Sequence, residues 1–403
     1  MQKMIWFLIA CLATAASAGA KTTLTWIDYH RGQDAYDRVL ANYFKQYSLK
    51  HPEIEIKRRT VVFADFRSEI INAAALNTVP DIVLIDNPDH QAMADIGAFA
   101  DITDKIQNWA YKDLYFKGPW MTTIFKGRNY GIPLFSSATV LWYNEELLKK
   151  AGITQPPRTW NELRAAAAKL TTNNQYGLAF SAIQSEEGTF TFLPFLWSAG
   201  SDVDRIGNQA SVKALTFFRD LVVKDGSVSI GVAGWGQTEV KDIWLQGQAA
   251  MMINGPWQLR NIEAAHPEWT WDIVPIPKDK ESVSILGGEN FAFGKDGNVA
   301  EAWKLVQWLT EPERLKELIR STGNIPNRED LADDPEWTED HIARTFLEAV
   351  RTARSRAYGP NYLGISGIIS KMLRDVLTNF ETPEEAANQA RANLRPLLEN
   401  KGS

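Results

Sequence analysis

The amino-acid sequence predicts an α/β protein with two lobes, and three observations lead to this fold class. The chain has 403 residues, which is more than one hydrophobic core usually organises. In its first part, segments of strand character alternate with segments of helical periodicity, a pattern typical of a parallel sheet flanked by helices. One strand segment, 81–85, is almost entirely apolar, as expected for a strand that is covered on both faces.

The elements before this apolar strand follow from composition and spacing. Residues 22–27 are rich in strand formers and predict the first strand, and 34–47 carry aromatic and aliphatic residues at helical spacing. Residues 54–62 predict a second strand. The helical pattern over 66–76 is followed by Asn77, which is typical of a helix end.

The alternation of strands and helices continues along the rest of the chain. The predicted strands cover 139–144, 176–180, 249–253, 271–274 and 284–293, and the predicted helices cover 145–151, 212–223, 240–246, 299–309, 341–350 and 368–380. Two further helix starts carry capping signals. Thr159 precedes a helix with Glu162 in its first turn, and Thr382 forms a capping box with Glu385 around Pro383.

The first 18 residues predict a secretory signal peptide. Lys3 gives a positive start, 4–13 are apolar, and Ala16 and Ala18 form a small-x-small cleavage site. The residues up to Cys11 also resemble a lipoprotein cleavage box, which would give a lipid-anchored protein. The apolar stretch before Cys11 is short for that purpose, so we favour cleavage near Ala18 and expect a periplasmic protein.

Cysteine content and charge argue against several classes of function. Cys11 is the single cysteine, so a chain cleaved after Ala18 is expected to lack disulfides, thiol nucleophiles and cysteine zinc ligands. The formal net charge is −6, which disfavours nucleic-acid binding. The five histidines are scattered along the chain, and we expect neither a metal nor a cofactor.

The sequence contains no recognised catalytic motif. It lacks a P-loop, and 231–236 (GVAGWG) has neither the spacing nor the small residues of a dinucleotide-binding loop. Residues 364–368 (GISGI) differ from a nucleophile elbow at the last glycine. Aromatic residues are abundant, with 15 Trp, 11 Tyr and 18 Phe, and some of these rings are suited to stack on the apolar face of a sugar. A binding protein is therefore favoured over an enzyme.

Six short segments, taken in order, carry a family resemblance. They are VPDIVLID (79–86), YGIPL (130–134), LWYN (141–144), PRTWNEL (157–163), GQAAMMINGPW (247–257) and LGG (286–288). With these segments behind a signal peptide, the chain resembles, over its whole mature length, the extracellular solute-binding proteins typified by the maltose-binding proteins of ATP-driven importers. The resemblance implies a two-lobed periplasmic-binding-protein fold of class II, in which each lobe is a mostly parallel sheet flanked by helices and several segments form the hinge.

The resemblance also implies a division of the chain and a set of partners. The N-terminal lobe takes 19–130 and 285–324, and the C-terminal lobe takes 131–284 and 325–403. By the same resemblance we expect a monomer that captures a small carbohydrate between its lobes and closes around it. The closed protein would then deliver the sugar to the membrane permease subunits of an ABC importer.

Candidate ligand-binding residues follow from the rule that ligands of open α/β sheets bind beyond the carboxyl ends of strands. Applied along the chain, the rule gives Asp28, Tyr29, His30, Asp86, Ser137, Trp235, Trp257, Gly288, Glu289 and Arg356. Trp235 and Trp257 are expected to stack on the apolar face of a sugar ring. The carboxylates of Asp28, Asp86 and Glu289 are expected to accept hydrogen bonds from its hydroxyl groups.

The resemblance supports Asp86, Trp257 and Gly288 individually, whereas relatives often carry an aromatic residue near the position of Glu289. Arg356 would donate charge-assisted hydrogen bonds to a sugar, or it would pair with a ligand carboxylate or phosphate. A binding protein for an acidic or phosphorylated solute, such as a glycerol phosphate, is therefore an alternative. A secreted glycoside hydrolase is a second alternative, because its paired carboxylates come from distant segments. A purely structural exported protein is a third.

Overall fold

The computed structural model describes residues 21–30 and 34–399. The predicted signal peptide and Cys11 lie outside these residues. The strands are β1 (Thr22–Asp28), β2 (Ile54–Thr60), β3 (Ile82–Asp86), β4 (Ile124–Phe125), β5 (Arg128–Asn129), β6 (Gly131–Pro133), β7 (Val140–Asn144), β8 (Tyr176–Ala179), β9 (Ala249–Asn254), β10 (Trp271–Pro275), β11 (Ser284–Ile285), β12 (Glu289–Phe293) and β13 (Ala353–Arg354).

Helices cover both lobes and form most of the C-terminal part of the chain. They are α1 (Asp34–Lys50), α2 (Phe63–Ala75), α3 (His90–Asp95), α4 (Thr103–Gln107), α5 (Lys117–Thr122), α6 (Glu145–Lys150), α7 (Trp160–Leu170), α8 (Glu186–Ser198), α9 (Gln209–Arg219), α10 (Gln237–Leu245), α11 (Leu259–Ala265), α12 (Val299–Leu309), α13 (Pro312–Thr322), α14 (Glu329–Ala332), α15 (Pro335–Thr338), α16 (His341–Arg351), α17 (Tyr362–Leu377) and α18 (Pro383–Glu399). Within residues 21–30 and 34–399, none of the helices combines the length and the apolar character needed to cross a membrane.

The first lobe is built on a five-stranded sheet with the order β2-β1-β3-β12-β6. Strand β1 runs parallel to β2 and β3, whereas β12 runs antiparallel to β3 and β6. Side chains of β1 alternate between the two faces of the sheet: Leu24 and Trp26 pack in the same cluster as α1, and Ile27 packs in the same cluster as α2. Because helices cover both faces, every residue of β3 is buried.

The second lobe is built on a four-stranded sheet with the order β10-β7-β9-β8. Strand β7 runs antiparallel to β10 and β9, and β8 runs parallel to β9. The two-lobed α/β fold class with mostly parallel sheets is therefore confirmed, although one strand in each sheet, β12 or β7, runs against the others. The physical reason is the way the chain enters each sheet. Strands β12 and β7 each follow a segment that connects the lobes. Each therefore begins beside the last residues of its neighbouring strands and runs in the opposite direction.

Three segments connect the lobes and lie side by side. Ser136 exchanges two backbone hydrogen bonds with Ile325, at 2.8 and 2.9 Å, and Ser137 exchanges two with Gly287, at 3.1 and 2.8 Å. Strand β11 pairs in parallel with β13 beside them. We call these segments the hinge, and they comprise 134–139, 284–288 and 324–326.

Residues 131–133 form strand β6 in the first sheet, so the chain leaves that sheet only after Pro133. Gly288 ends the second hinge segment with φ of 122°, a conformation that favours glycine. A Cβ atom at Gly288 would lie 2.2 Å from the carbonyl oxygen of Phe135. The close backbone approach expected at this glycine is therefore present within the hinge. The residue boundaries of the two lobes stay a prediction.

Two capping signals that the sequence shows are present in the structure. The Thr159 side chain accepts a hydrogen bond from the backbone of Glu162, and the Glu162 carboxylate accepts one from the backbone of Thr159. The same reciprocal pair joins Thr382 and Glu385 at the start of α18. Each pair satisfies backbone N–H groups that the first helical turn leaves without partners.

Candidate functional site

A cavity of about 170 Å³ lies between the lobes. The first lobe contributes residues at the carboxyl ends of β1 and β3, the second lobe contributes the first residues of α8 and α10 and the loop after β9, and the hinge lies along one side. The lining residues are Tyr29, His30, Phe63, Asp86, Ser137, Glu186, Glu187, Phe190, Gln237, Thr238, Trp257, Gln258, Gly287, Gly288, Glu289, Asn324 and Arg356.

Eight of the ten residues predicted from the sequence line this cavity. They are Tyr29, His30, Asp86, Ser137, Trp257, Gly288, Glu289 and Arg356. They come from segments far apart in the chain, which the strand ends and the hinge bring together. Their contact with a ligand stays a prediction.

The structure gives Asp28 a different role from the one expected. Its side chain is fully buried, and its two carboxylate oxygens accept hydrogen bonds from Arg58, at 2.6 and 2.8 Å, and from the indole of Trp26, at 2.7 Å. The backbone N–H of His30 also donates to this carboxylate. Asp28 therefore fixes the turn that presents Tyr29 and His30, and it does not face the cavity.

Trp235 is the second predicted residue that does not line the cavity. Its ring lies over Gly231 in the same loop, where a Cβ atom would be 2.4 Å from the ring carbon Cζ2. The backbone carbonyl of Trp235 accepts a hydrogen bond of 2.9 Å from Ser181. The indole ring of Trp235 therefore packs on its own glycine-rich loop. It does not project towards a sugar, contrary to the prediction from the sequence.

Aromatic rings stand on both lobes of the cavity. Tyr29 and Phe63 meet edge to face in the first lobe, with ring centroids 4.9 Å apart. Phe190 and Trp257 meet in the same way in the second lobe, at 5.8 Å. Rings on two opposing walls are suited to hold the apolar C–H faces of a flat, ring-shaped ligand when the lobes close.

Glu289 is a carboxyl group of the cavity that has no arginine partner among the described residues. Its Oε1 atom accepts a hydrogen bond of 2.7 Å from the Tyr29 hydroxyl and lies 3.8 Å from the Nε2 atom of His30. Burial, followed by the nearby Asp86 carboxylate, raises the pKa of Glu289 to about 8. Burial also lowers the pKa of His30 to about 4, so this imidazole is neutral at pH 7. A protonated Glu289 can donate to a ligand hydroxyl group as well as accept from one.

Arg356 is committed to protein carboxylates. Its guanidinium donates to both oxygens of Asp86, at 3.1 and 3.3 Å, and to the carboxylate of Glu186, and it also reaches the backbone carbonyl of Leu286 at 3.3 Å. Its face packs against the ring of Phe190, 4.5 Å from the centroid. Arg356 is only 1% exposed, so its main effect is to bring two acidic side chains of the site together.

Glu186 is the centre of a buried network that reaches across the cavity. It accepts hydrogen bonds from the hydroxyls of Tyr362 and Ser366, both at 2.5 Å, and from Arg67 at 2.9 Å. Burial opposes its ionisation, but the charges of Arg356 and Arg67 outweigh burial and lower the pKa of Glu186. The carboxylate is therefore ionised and fully occupied by donors of the protein.

Several side chains that line the cavity carry a buried polar atom without a hydrogen-bond partner among the described residues. These atoms are His30 Nδ1, Trp257 Nε1, Glu289 Oε2, Asn324 Oδ1 and Arg356 Nε. A buried polar group without a partner costs free energy. Hydroxyl groups both donate and accept, so a polyhydroxylated ligand matches this mixed set of donors and acceptors.

Sequence reasoning missed the contribution of α8. Glu186, Glu187 and Phe190 follow strand β8, and the rule used for the other strands points to this loop as well. The helix itself gave no periodic signal, because it is buried from Gly188 to Ser198 on all sides. Asn324 and the glutamines at 237 and 258 have no comparable signal, since isolated amide side chains are common in any sequence.

Comparison with known families finds one that spans most of the chain. The profile of the bacterial extracellular solute-binding proteins matches residues 42–345. A putative binding protein of Brucella abortus is 22% identical over 401 residues, covering 97% of this chain and 96% of the relative. The maltotriose-binding protein of Pyrococcus abyssi is 25% identical, covering 89% of this chain and 79% of the relative.

Solved structures show the same architecture. An ABC transporter solute-binding protein from Thermotoga lettingae, bound with α-D-tagatose, superposes with a TM-score of 0.87. It is 27% identical in sequence, and the match covers 94% of this chain and 100% of that one.

Proposed function

Because the chain belongs to the family of bacterial extracellular solute-binding proteins, we propose that it captures a neutral mono- or oligosaccharide between its lobes and delivers it to the membrane permease of an ABC importer. One observation carries the proposal: aromatic rings of both lobes face a single cavity that also holds unpartnered polar atoms. Two similar proteins, the maltotriose-binding protein of Pyrococcus abyssi and the solute-binding protein bound with α-D-tagatose, support a sugar ligand.

The charges of the cavity favour a neutral sugar over an acidic or phosphorylated solute. Arg356 is the residue that motivated the acidic alternative, and it already pairs with Asp86 and Glu186. Two further carboxyl groups, Glu187 and Glu289, line the same cavity. An anionic ligand would meet an excess of acidic groups and would have to displace a protein carboxylate from the arginine.

The same contacts favour binding over glycoside hydrolysis. A glycosidase needs two carboxyl groups on either side of the scissile bond, one able to donate a proton and one free to act as base or nucleophile. Asp86 and Glu186 are held by arginines, and Glu186 accepts two hydroxyl donors as well. Glu289 has the raised pKa of an acid. Glu187 on α8 is the other carboxyl group of the described cavity without an arginine, but burial raises its pKa as well, and it already accepts a hydrogen bond from the backbone N–H of Gln237. We therefore propose that oligosaccharides are bound without release of products.

Calorimetry with matched ligands tests the proposed substrate class. Each neutral sugar is compared with its acidic counterparts, for example glucose with glucuronate and glucose 6-phosphate, and short oligosaccharides such as maltotriose are added to the panel. We expect saturable binding within the neutral set and a thermal stabilisation of about 2.7 kcal/mol at a ligand concentration of about 100 times Kd. Binding confined to the acidic members would overturn the proposal, and release of monosaccharide from an oligosaccharide would establish an enzyme.

Trp257 provides the matched variant for this assay. Trp257→Ala removes a ring from the wall of the cavity, where it contacts Phe190, and should weaken sugar binding at least tenfold, or about 1.4 kcal/mol. Trp308→Ala is the control, because Trp308 packs on Tyr43 and Tyr47, and none of these three lines the cavity. Equal affinity of both variants would remove Trp257 from the binding site.

Export and assembly complete the proposal. We propose a periplasmic monomer, cleaved near Ala18 and not anchored through Cys11. Cell fractionation with mass determination of the mature chain tests the cleavage site, and light scattering tests the oligomeric state. A lipid-modified amino terminus beginning at Cys11 would contradict the first part.

A further inference from the structure

Two pairs of charged residues cross between the lobes beside the cavity, in opposite directions. Arg67 lies on α2 in the first lobe, and its guanidinium donates to Glu186 at the start of α8 in the second lobe, at 2.9 Å. Arg356 donates in the other direction, to Asp86 at the end of β3 in the first lobe. Asp86 and Arg356 lie next to the hinge, where Arg356 also contacts the carbonyl of Leu286. The contact of Arg67 is therefore the one that lobe separation would break first.

Each partner of the Arg67–Glu186 contact is held in place by its own lobe. On the first lobe, Asp89 accepts a hydrogen bond of 2.5 Å from the Nε atom of Arg67. On the second lobe, Tyr362 and Ser366 of α17 donate to Glu186. The two side chains thus need little further ordering to meet, and the entropy cost that usually weakens an ion pair is small.

Burial makes this contact stronger than a surface pair. The side chain of Glu186 is 4% exposed, that of Asp89 is 3% exposed and that of Arg67 is 23% exposed. Coulombic attraction increases as water is excluded, whereas in separated lobes the groups that face the gap would return to water. Arg67 itself does not line the cavity, whereas its partner Glu186 does, so the effect of Arg67 on the position of the lobes has to be measured without a ligand.

We propose that Arg67 is a positioning residue that latches the two lobes in the closed arrangement through Glu186. The latch sets the ratio of closed to open protein and so tunes the affinity for whatever the cavity binds. It is independent of the identity of the sugar and goes beyond the proposed transport function. Loss of either partner removes a contact that only the closed form has, while Glu186 keeps its bond to Arg356 and Asp89 lies on the same lobe as Arg67, so the open form gains in population.

Small-angle X-ray scattering of the mature protein, freed of small molecules by partial unfolding and dialysis, tests the latch without any ligand. We expect Arg67→Met to increase the radius of gyration, with a rise of about tenfold in the ratio of open to closed protein. Arg67→Lys, which keeps the charge, should recover part of the closed population. Arg59→Met is the matched control, since Arg59 pairs with Glu69 at 2.6 Å within the first lobe.

Glu186→Gln tests the same contact from the second lobe and keeps the test informative if Arg67→Met folds poorly. It should also open the protein, and Arg67→Met added to it should cause little further change, because both substitutions remove one contact. Equal radii of gyration for the wild type, Arg67→Met and Glu186→Gln would overturn the latch. Since no sugar is present in the scattering experiment, that outcome leaves the proposed sugar binding untouched.

Discussion

Replacing Glu289 by Gln should change how the stability of the protein depends on pH. Glu289 sits at the start of β12 with one carboxylate oxygen bonded to Tyr29 and the other buried without a partner among the described residues. Glutamine has nearly the same shape and cannot ionise. The substitution therefore removes the titration while it keeps the packing of the cavity.

The magnitude follows from the raised pKa. Burial and the Asp86 carboxylate raise the pKa of Glu289 from 4.5 to about 8. Between these two values the folded protein keeps a proton that the unfolded chain releases, so the free energy of unfolding decreases as the pH rises. At 1.36 kcal/mol per pKa unit, the loss over the whole window amounts to about 5 kcal/mol as an upper limit.

Urea unfolding at several pH values between about 5 and 8 measures this effect through the extrapolated free energy of unfolding. The wild type should lose stability over this interval relative to Glu289→Gln, and the two curves should converge at the acidic end. Glu55→Gln, at an exposed position of β2, is the control and should run parallel to the wild type. Parallel curves for the wild type and Glu289→Gln would refute the assignment of a buried, protonated carboxyl group to this position.

Three further predictions concern the hinge, a buried imidazole and a helix cap. Gly288→Ala should lower the free energy of unfolding by at least about 2 kcal/mol in urea, because its φ of 122° and the Phe135 carbonyl oxygen leave no room for a Cβ atom; an unchanged midpoint would contradict this. His90→Asn should reduce the stability lost on acidification below about pH 6.5, since burial lowers the pKa of His90 to about 3 and the folded protein excludes the proton. Thr159→Ala should lower the stability by about 1 kcal/mol in thermal unfolding, through loss of the reciprocal bonds with Glu162, and no change in Tm would argue against the cap.

Local patterns predicted the elements whose signals are contained in a few neighbouring residues. The strand at 81–85 was evident from its apolar run, and the start of α18 was evident from Thr382 and Glu385. The interruption of 284–293 by Gly287 and Gly288 corresponds to the hinge between β11 and β12. In each case the physical constraint acts over a few residues, so the sequence displays it directly.

The candidate site was predictable where strand ends converge and not where packing decides the direction of a side chain. Asp28 follows β1 as Tyr29 does, but Arg58 on the neighbouring strand binds its carboxylate and keeps it away from the cavity. Trp235 lies in a glycine-rich loop, from which its ring was expected to project, but the ring packs on Gly231. The first outcome depends on a contact between residues 30 positions apart, and the second depends on the way one loop folds.

Helix α8 shows the same limit for secondary structure. A helix that is buried on nearly every side shows little amphipathic period, so 186–198 gave no helical signal although it supplies Glu186 and Phe190 to the cavity. The mixed direction of the two sheets likewise follows from where the chain re-enters each lobe. That connectivity depends on all the hinge segments together, so the sequence of a single strand does not predict it.

Native mass spectrometry of the protein purified from its native cells tests the central claim most directly. The ions should carry a non-covalent adduct with the mass of a neutral carbohydrate, which collisional activation releases, and the adduct should be depleted in Trp257→Ala but retained in Trp308→Ala. A phosphorylated or acidic adduct, or a sugar adduct of equal abundance in both variants, would contradict capture of a neutral sugar between the aromatic walls of the cavity.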